Sequence, residues 1–352
     1  PRSKSFCAVP FLVRAFRWFG TITTGLDCFK SIDVAAENNK SLRPAVRFVK
    51  IADDEAGQRI DNYLHRTLKG VPRSRVYRIL RRGEVRINGG RVRAQYKLQP
   101  GDVVRLPPIR TSLSKGDPRL DTLLIRRLEE GLLFEDAALL VLDKPAGLAA
   151  HGGSGLSYGA IEALRALRPE LEYLELVHRL DRGTSGCLLV AKRRSELRRL
   201  QELFRNGEVS KRYLALVQGM WQQGTKRVDL PLVTHRRQNG ERTVVVDDSG
   251  KPSVSTFRPV QVFSDASLIE VSIATGRTHQ IRVHAAALDH PVAGDGRYGG
   301  VRFNKHMAGL GLTRLFLHAQ ALELERANGP FSVSAPLPAE LRDVLTRLES
   351  RR

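Results

Sequence analysis

The hydrophobic rhythm of the chain changes near residue 130. Before it, apolar residues recur every three or four positions in short stretches. "RIDNYLHRTL", residues 59–68, puts Ile60, Leu64 and Leu68 on one helical face. "VPRSRVYRILRRG", residues 71–83, predicts a second short helix, with Pro72 and Ser74 as start signals and Gly83 as its stop. Val76, Ile79 and Leu80 form its apolar side. "EVRINGGRV" then alternates on both sides of Asn88-Gly89, the pattern of a tight hairpin.

After residue 130 the runs become strand-like. "LLFEDAALLVLDKPAGL" holds two of them and a Pro-Ala-Gly turn, and "KRYLALVQG", "TFRPVQVF" and "SLIEVSIATG" add more. "SELRRLQELFRNG" is an amphipathic helix, with Leu197, Leu200 and Phe204 on one side and Gly207 at its end. Strands and helices do not alternate regularly, so the fold class is read as α+β with a central, mostly antiparallel sheet. The domain reading is an N-terminal arm over 1–45, a small basic α+β domain over 46–106, a linker over 107–130 and a larger domain over 131–352. The linker rests on the Pro-, Ser- and Gly-rich "PPIRTSLSKGDPRLD". The arm reads as an extension without chemistry; its cations and late first acid, Asp27, resemble an organellar presequence only faintly.

Charge narrows the function. The 352 residues carry 58 Lys and Arg against 37 Asp and Glu, a net charge of +21. Such an excess selects polyanions as partners, nucleic acid before an anionic membrane. Residues 57–105 hold thirteen Lys or Arg against three acids. Arg73, Arg75, Arg78, Arg81, Arg82 and Lys97 are the candidate RNA contacts of this basic module. No run reaches the roughly 18 apolar residues of a membrane span. Cys7, Cys28 and Cys187 lack paired spacing, which suits a reducing, cytoplasmic setting and excludes a zinc framework. A phosphate loop and an HExxH motif are also missing.

Three segments could do chemistry. "VHRLDRGTSG", residues 177–186, sets Asp181 between Arg179 and Arg182 ahead of a buried strand. "SKRYLALV" places Tyr213 behind Lys211 and Arg212. "ATGRTHQIRVHAAAL" ends a strand at Gly276 and starts a helix that Thr278 can cap, with Arg282 near its N-terminus. Taken alone, Asp181 is as well explained by an ion pair and Tyr213 by a core position.

Together with "DKPAGL" and "HGG", these segments resemble the RluA/RluC-type pseudouridine synthases, from about Leu132 to Pro336. The helix–helix–hairpin module ahead of them resembles the S-four type of RNA-binding domain. The resemblance implies a pseudouridine synthase fold and the isomerisation of uridine in large-subunit ribosomal RNA. It implies that Asp181 is the nucleophile, that Tyr213 packs on the target base and that Arg282 pairs with the aspartate. It further implies that Arg179 fills the gap left by the flipped uridine. Substrate and product are isomers, so no metal, redox group or other cofactor is expected, and the protein is expected to work as a monomer. His178, His279 and His284 are read as packing or RNA-contacting residues, Cys187 as a small core residue and Asp295 as a loop builder rather than a second acid. Two other classes stay open: an RNA-binding ribosome assembly factor that lacks activity, and a glycosylase that would release free uracil.

Overall fold

The computed structural model describes residues 45–68, 71, 73–109, 122–152, 158–236 and 242–351. The arm, apart from residue 45, and the middle of the expected linker therefore lie outside the described residues, as do Pro72 and the side chain of Arg73.

The small N-terminal part builds β1 (Arg47–Lys50), α1 (Ile60–Thr67), α2 (Arg73–Arg81), β2 (Arg86–Ile87), β3 (Gly90–Arg91) and β4 (Val103–Leu106). Its four strands lie in the order β1-β4-β2-β3. The apolar faces expected of the helices are the ones buried. Ile60, Leu64, Leu68, Val76, Ile79 and Leu80 join Ile87, Leu98 and Val104 in one core. At the hairpin, Asn88 and Gly89 take φ of 50° and 81°, the left-handed pair that a two-residue turn between twisted strands requires. The Asn88 side chain fastens that turn to β4: its Oδ1 accepts from Val103 N at 2.8 Å and its Nδ2 donates to buried Asp102 at 2.8 Å.

The larger part follows as α3 (Thr122–Glu130), β5 (Leu132–Glu135), β6 (Leu139–Lys144), α4 (Ala160–Leu167), β7 (Glu175–Leu176), β8 (Ser185–Ala191) and α5 (Arg194–Asn206). Next come β9 (Ser210–Gln218), β10 (Lys226–Asp229), β11 (Leu232–Arg236), β12 (Arg242–Val246), β13 (Val254–Val262), β14 (Ala266–Ile273) and α6 (Gln280–Ala287). The chain closes with α7 (Val301–Gly309), β15 (Leu317–Arg326), β16 (Gly329–Ser334) and α8 (Ala339–Glu349). The main path of the sheet runs β10-β13-β14-β9-β15-β8-β6-β5, with β16 on β15 and β7 on β8.

The sheet is mixed, which refines the antiparallel expectation. β8 and β15 run parallel, pairing at Ser185–His318 and Gly186–Ala319. Strands from distant parts of the chain meet there, so no local pattern announces the pairing. Gly186 makes the close approach possible: its φ is 108°, and a Cβ added there would lie 2.2 Å from the Ala319 carbonyl oxygen. All seven residues of β8 are buried, because helices and loops cover both faces of the central strands. Asp181 therefore lies just ahead of a strand buried along its whole length.

Candidate active site

The loop of residues 178–184, between β7 and β8, is pinned on three sides. Leu180 is buried as its apolar anchor. Thr184 N donates to the Asp181 carbonyl at 3.1 Å. Across the loop, Gly147 N donates to the Arg182 carbonyl at 2.8 Å, and Arg182 Nε donates back to the Gly147 carbonyl at 2.8 Å. Gly147 sits in the Pro145–Leu148 turn that follows β6, with φ of 85°. Lys144 holds that turn from inside. Its Nζ is fully buried and donates to the Pro145 and Leu148 carbonyls at 2.9 and 2.8 Å. Burial pushes the Lys144 ammonium down to about 7, although the nearby Asp181 carboxylate favours its charged form.

One cleft gathers Arg179, Asp181, Tyr213, His279 and Arg282, with Ile273 and Leu317 as apolar walls. Tyr213 enters from β9 and is buried. Burial, with the Asp181 charge adding to it, pushes its phenol well above the usual tyrosine range, so it keeps its proton at neutral pH. Arg179 is exposed at the rim.

Arg282 projects from the first turn of α6 but is held mainly by a residue not assigned to the site from sequence. Its Nε and Nη2 donate to the two carboxylate oxygens of Asp295 at 2.7 and 2.8 Å. Nη1 stays 3.9 Å from Asp181 Oδ2. The expected Arg282–Asp181 pair is thus a loose contact beside a bidentate Arg282–Asp295 clamp. Burial alone would raise the Asp295 carboxyl. The Arg282 hydrogen bonds and charge, together with the Arg297 and Tyr298 backbone N–H groups, hold it below the usual range instead. Asp295 is the missed residue. "GDGRYG" reads as a loop, and its one signal is an acid among glycines that accepts local N–H bonds, as turn-building aspartates do.

His279 is the second. It occupies the N-cap of α6 with φ of 55°, where Thr278 was expected, and makes no capping bond. Its Nε2 lies 3.9 Å from Asp181 Oδ2 and its Nδ1 is 2.8 Å from the Tyr298 hydroxyl. Burial, and after it the Arg282 charge, lowers its basicity against the opposing pull of Asp181, which leaves the ring neutral at pH 7. The Arg282 guanidinium lies over the Tyr298 ring, 5.0 Å from its centre. Tyr298 therefore touches both the arginine and the histidine that stand beside the aspartate.

The two other histidines singled out from the sequence, His178 and His284, are packed into the structure. His284 is buried between Ser255 Oγ and the Leu230 carbonyl, each at 3.0 Å. His178 accepts from Leu189 N at 3.1 Å and stacks on Phe204. Cys187 lies in β8 with its thiol pushed up to about 12 by burial and by Asp143. None of the described candidate RNA contacts of the basic module lines the cleft. Arg78 and Arg81 are exposed on α2, Arg82 is exposed just past its end, Arg75 is half-buried on the helix, and Lys97 is exposed on the segment bridged to Arg59. Among the described residues no group of His, Cys, Asp and Glu could hold a metal ion, and no helix is long and apolar enough to cross a membrane.

The cleft so built offers one carboxylate between a clamped guanidinium and a neutral imidazole, with a protonated tyrosine ring as its wall. Such a set can stabilise or trap an electron-poor carbon while a flat ring rests on the tyrosine.

Comparison with known proteins converges on the same chemistry. Residues 138–287 match the family described as RNA pseudouridylate synthase, and residues 58–104 match the S4 domain. The chain is 51% identical over 320 residues to ribosomal large subunit pseudouridine synthase C of Pasteurella multocida, covering 90% of this chain and 98% of that protein. It is 50% identical to the Escherichia coli protein of the same name, covering 89% of this chain and 100% of that one. Among solved structures, human RNA pseudouridylate synthase domain containing 4 superposes with a TM-score of 0.55 at 28% identity, over 64% of this chain and 96% of that one.

Proposed function

Because the chain belongs to the RNA pseudouridylate synthase family, we propose that it isomerises uridines of large-subunit ribosomal RNA and that Asp181 is its nucleophile. The observation that carries this reading is the shared cleft, in which the Asp181 carboxylate stands beside the Tyr213 ring and the Arg282 guanidinium. Residues 46–106 are assigned to RNA docking and residues 131–352 to catalysis.

The reaction breaks the bond between N1 of uracil and the anomeric carbon of ribose. It then turns the ring and joins C5 to that carbon; C5 gives up its proton and N1, freed of the ribose, takes one up, so the product is an isomer of the substrate. As the first bond breaks, the ribose becomes electron-poor, and the Asp181 carboxylate stabilises or bonds to it. Arg282, fixed by Asp295, gives that carboxylate a cationic neighbour that needs no rearrangement during the reaction. Tyr213 supports the uracil while it turns; its proton is retained, so the ring face and the hydroxyl act as a contact rather than as a standing phenolate. A base inside a stacked helix is out of reach of the cleft, and extruding it costs roughly a few kcal/mol. Arg179 at the rim is placed to fill the vacated stack and offset part of that cost. The S4 match and the close similarity to ribosomal large subunit pseudouridine synthases support the choice of RNA.

The test uses large-subunit ribosomal RNA tritiated at C5 of uracil. The parent is expected to release tritium while the base stays on the chain. Asp181→Asn is expected to slow release by at least roughly a thousandfold with RNA affinity nearly unchanged. Release of free uracil, or tight binding without tritium release by the parent, overturns the proposal.

A further inference from the structure

The α2 arginines are not the only cationic surface of the small domain. Pairing register places Phe48 opposite Arg105, Arg105 opposite Arg86, and Arg86 opposite Arg91, one residue from each of the four strands. Paired residues on neighbouring antiparallel strands point to the same face. The next row, Val49, Val104 and Ile87, belongs to the core, so the Phe48–Arg91 row faces solvent. Its exposure agrees: Arg86 and Arg91 are exposed, Arg105 is half-buried and Phe48 is 67% exposed. Lys50 and Val103, paired one step along the same face, extend it with a further cation and an exposed apolar side chain.

These arginines are held in place and carry unused charge. Arg86 Nε donates to the Gly83 carbonyl at 3.2 Å and Arg105 Nη1 to the Glu84 carbonyl at 2.7 Å. Arg91 packs over Gly83, where an added Cβ would lie 2.6 Å from its Nε. Among the described residues, the ion pairs of this domain join Arg59 to Asp61, Arg66 to Glu55 and Arg82 to Glu84. Arg86, Arg91 and Arg105 are left without a carboxylate.

We infer that this sheet face is a second RNA-binding surface that takes an extended single strand, with the arginines on phosphates and Phe48 stacked on an unpaired base. Neighbouring strands stand about 4.8 Å apart, so the row spans roughly 14 Å, enough for a few nucleotides. Cations beside an uncovered aromatic ring match the chemistry of a single strand, which offers both phosphates and free base faces. A duplex hides its base faces and would leave Phe48 unused. The inference rests on the RNA-modifying reading for its choice of ligand, and it adds where a flanking single-stranded segment lies.

The test measures binding of the full chain to a fluorescein-labelled 20-nucleotide single-stranded RNA and to the same RNA annealed as a duplex. Phe48→Leu is expected to weaken single-strand binding by roughly fivefold to a hundredfold and duplex binding by less than about twofold. Phe48→Tyr should restore the parent value, which separates lost stacking from misfolding. Arg86→Gln combined with Arg91→Gln should lower the slope of log affinity against log salt by about 1.4 on the single strand. Single-strand affinity indifferent to Phe48→Leu, or a salt slope that does not move, overturns the inference. Tritium release measured on the same preparations separates the two proposals. An inactive parent that binds through Phe48 overturns only the isomerase reading, and an active parent indifferent to Phe48 overturns only this one.

Discussion

Arg282 spends two of its N–H groups on Asp295, at 2.7 and 2.8 Å, and stands 3.9 Å from Asp181. The tight bond thus belongs to the acid outside the reaction and the loose one to the acid proposed to react. A guanidinium fully paired with Asp181 would compete with the ribose for the carboxylate, whereas one anchored elsewhere lends its field and leaves the oxygens free.

Asp295→Asn keeps the shape of the clamp and removes its charge. Isomerisation is expected to fall roughly a hundredfold, the cost of about an ångström of misplacement, while RNA affinity stays within about twofold. Single-turnover tritium release and equilibrium binding measure the two separately. Asp295→Ala goes further and leaves Arg282 buried without its partner, at about 3–5 kcal/mol of stability. Normal turnover by the asparagine variant would mean that Asp295 does not position Arg282.

Gly186→Ala tests how the fold delivers Asp181. The new methyl would meet the Ala319 carbonyl oxygen at 2.2 Å, on a backbone with φ of 108° that side chains rarely adopt. The β8–β15 pairing must then open or the strand must shift, and a loss of about 3 kcal/mol or more is expected. Denaturant melts measure it. Unchanged stability would show that β8 reaches β15 without needing this glycine.

Much of this was legible in the sequence because its signals are local. The helical faces of α1 and α2, the Asn88-Gly89 turn and the helix ending at Gly207 follow from periodicity and from glycine's access to positive φ. Asp181, Tyr213 and Arg282 stood out through motifs of a few residues each, and the cleft brings all three together. What escaped depends on distant partners. Asp295 matters only because a loop thirteen residues past Arg282 folds back on it, and the role of Lys144 depends on the turn of residues 145–148 closing over its Nζ. The parallel pairing of β8 with β15 joins segments more than 130 residues apart, and no windowed pattern carries that.

The exposed arginines on α2 and just past its end make a prediction that does not involve the cleft. Arg78→Gln, Arg81→Gln and Arg82→Gln should each weaken RNA binding and lower its salt slope by roughly 0.7–0.9 per lost phosphate contact. The rate at saturating RNA reports the cleft separately. A slope that survives all three changes would remove α2 from the RNA interface.

Acid should unfold the protein partly through His318. This side chain is fully buried on β15, with Nδ1 2.9 Å from Ser185 Oγ and Nε2 3.2 Å from the Ala335 carbonyl. Burial pushes it down to about 4, with the Ala335 carbonyl opposing, against about 6.5 in an unfolded chain. Between those values the unfolded state binds a proton that the folded state refuses. The contribution of His318 is therefore intact above about pH 6.5 and is lost as pH falls toward about 4, at up to roughly 1.4 kcal/mol per pH unit. His318→Gln removes this titration whatever it costs at neutral pH. Denaturant unfolding at pH 7, 6 and 5 should show the gap between parent and variant changing steadily with pH in the parent's disfavour. A gap that stays constant would mean that the folded protein accepts the proton on His318. The junction of β8 and β15, on which the Asp181 loop rests, would then tolerate a buried charge.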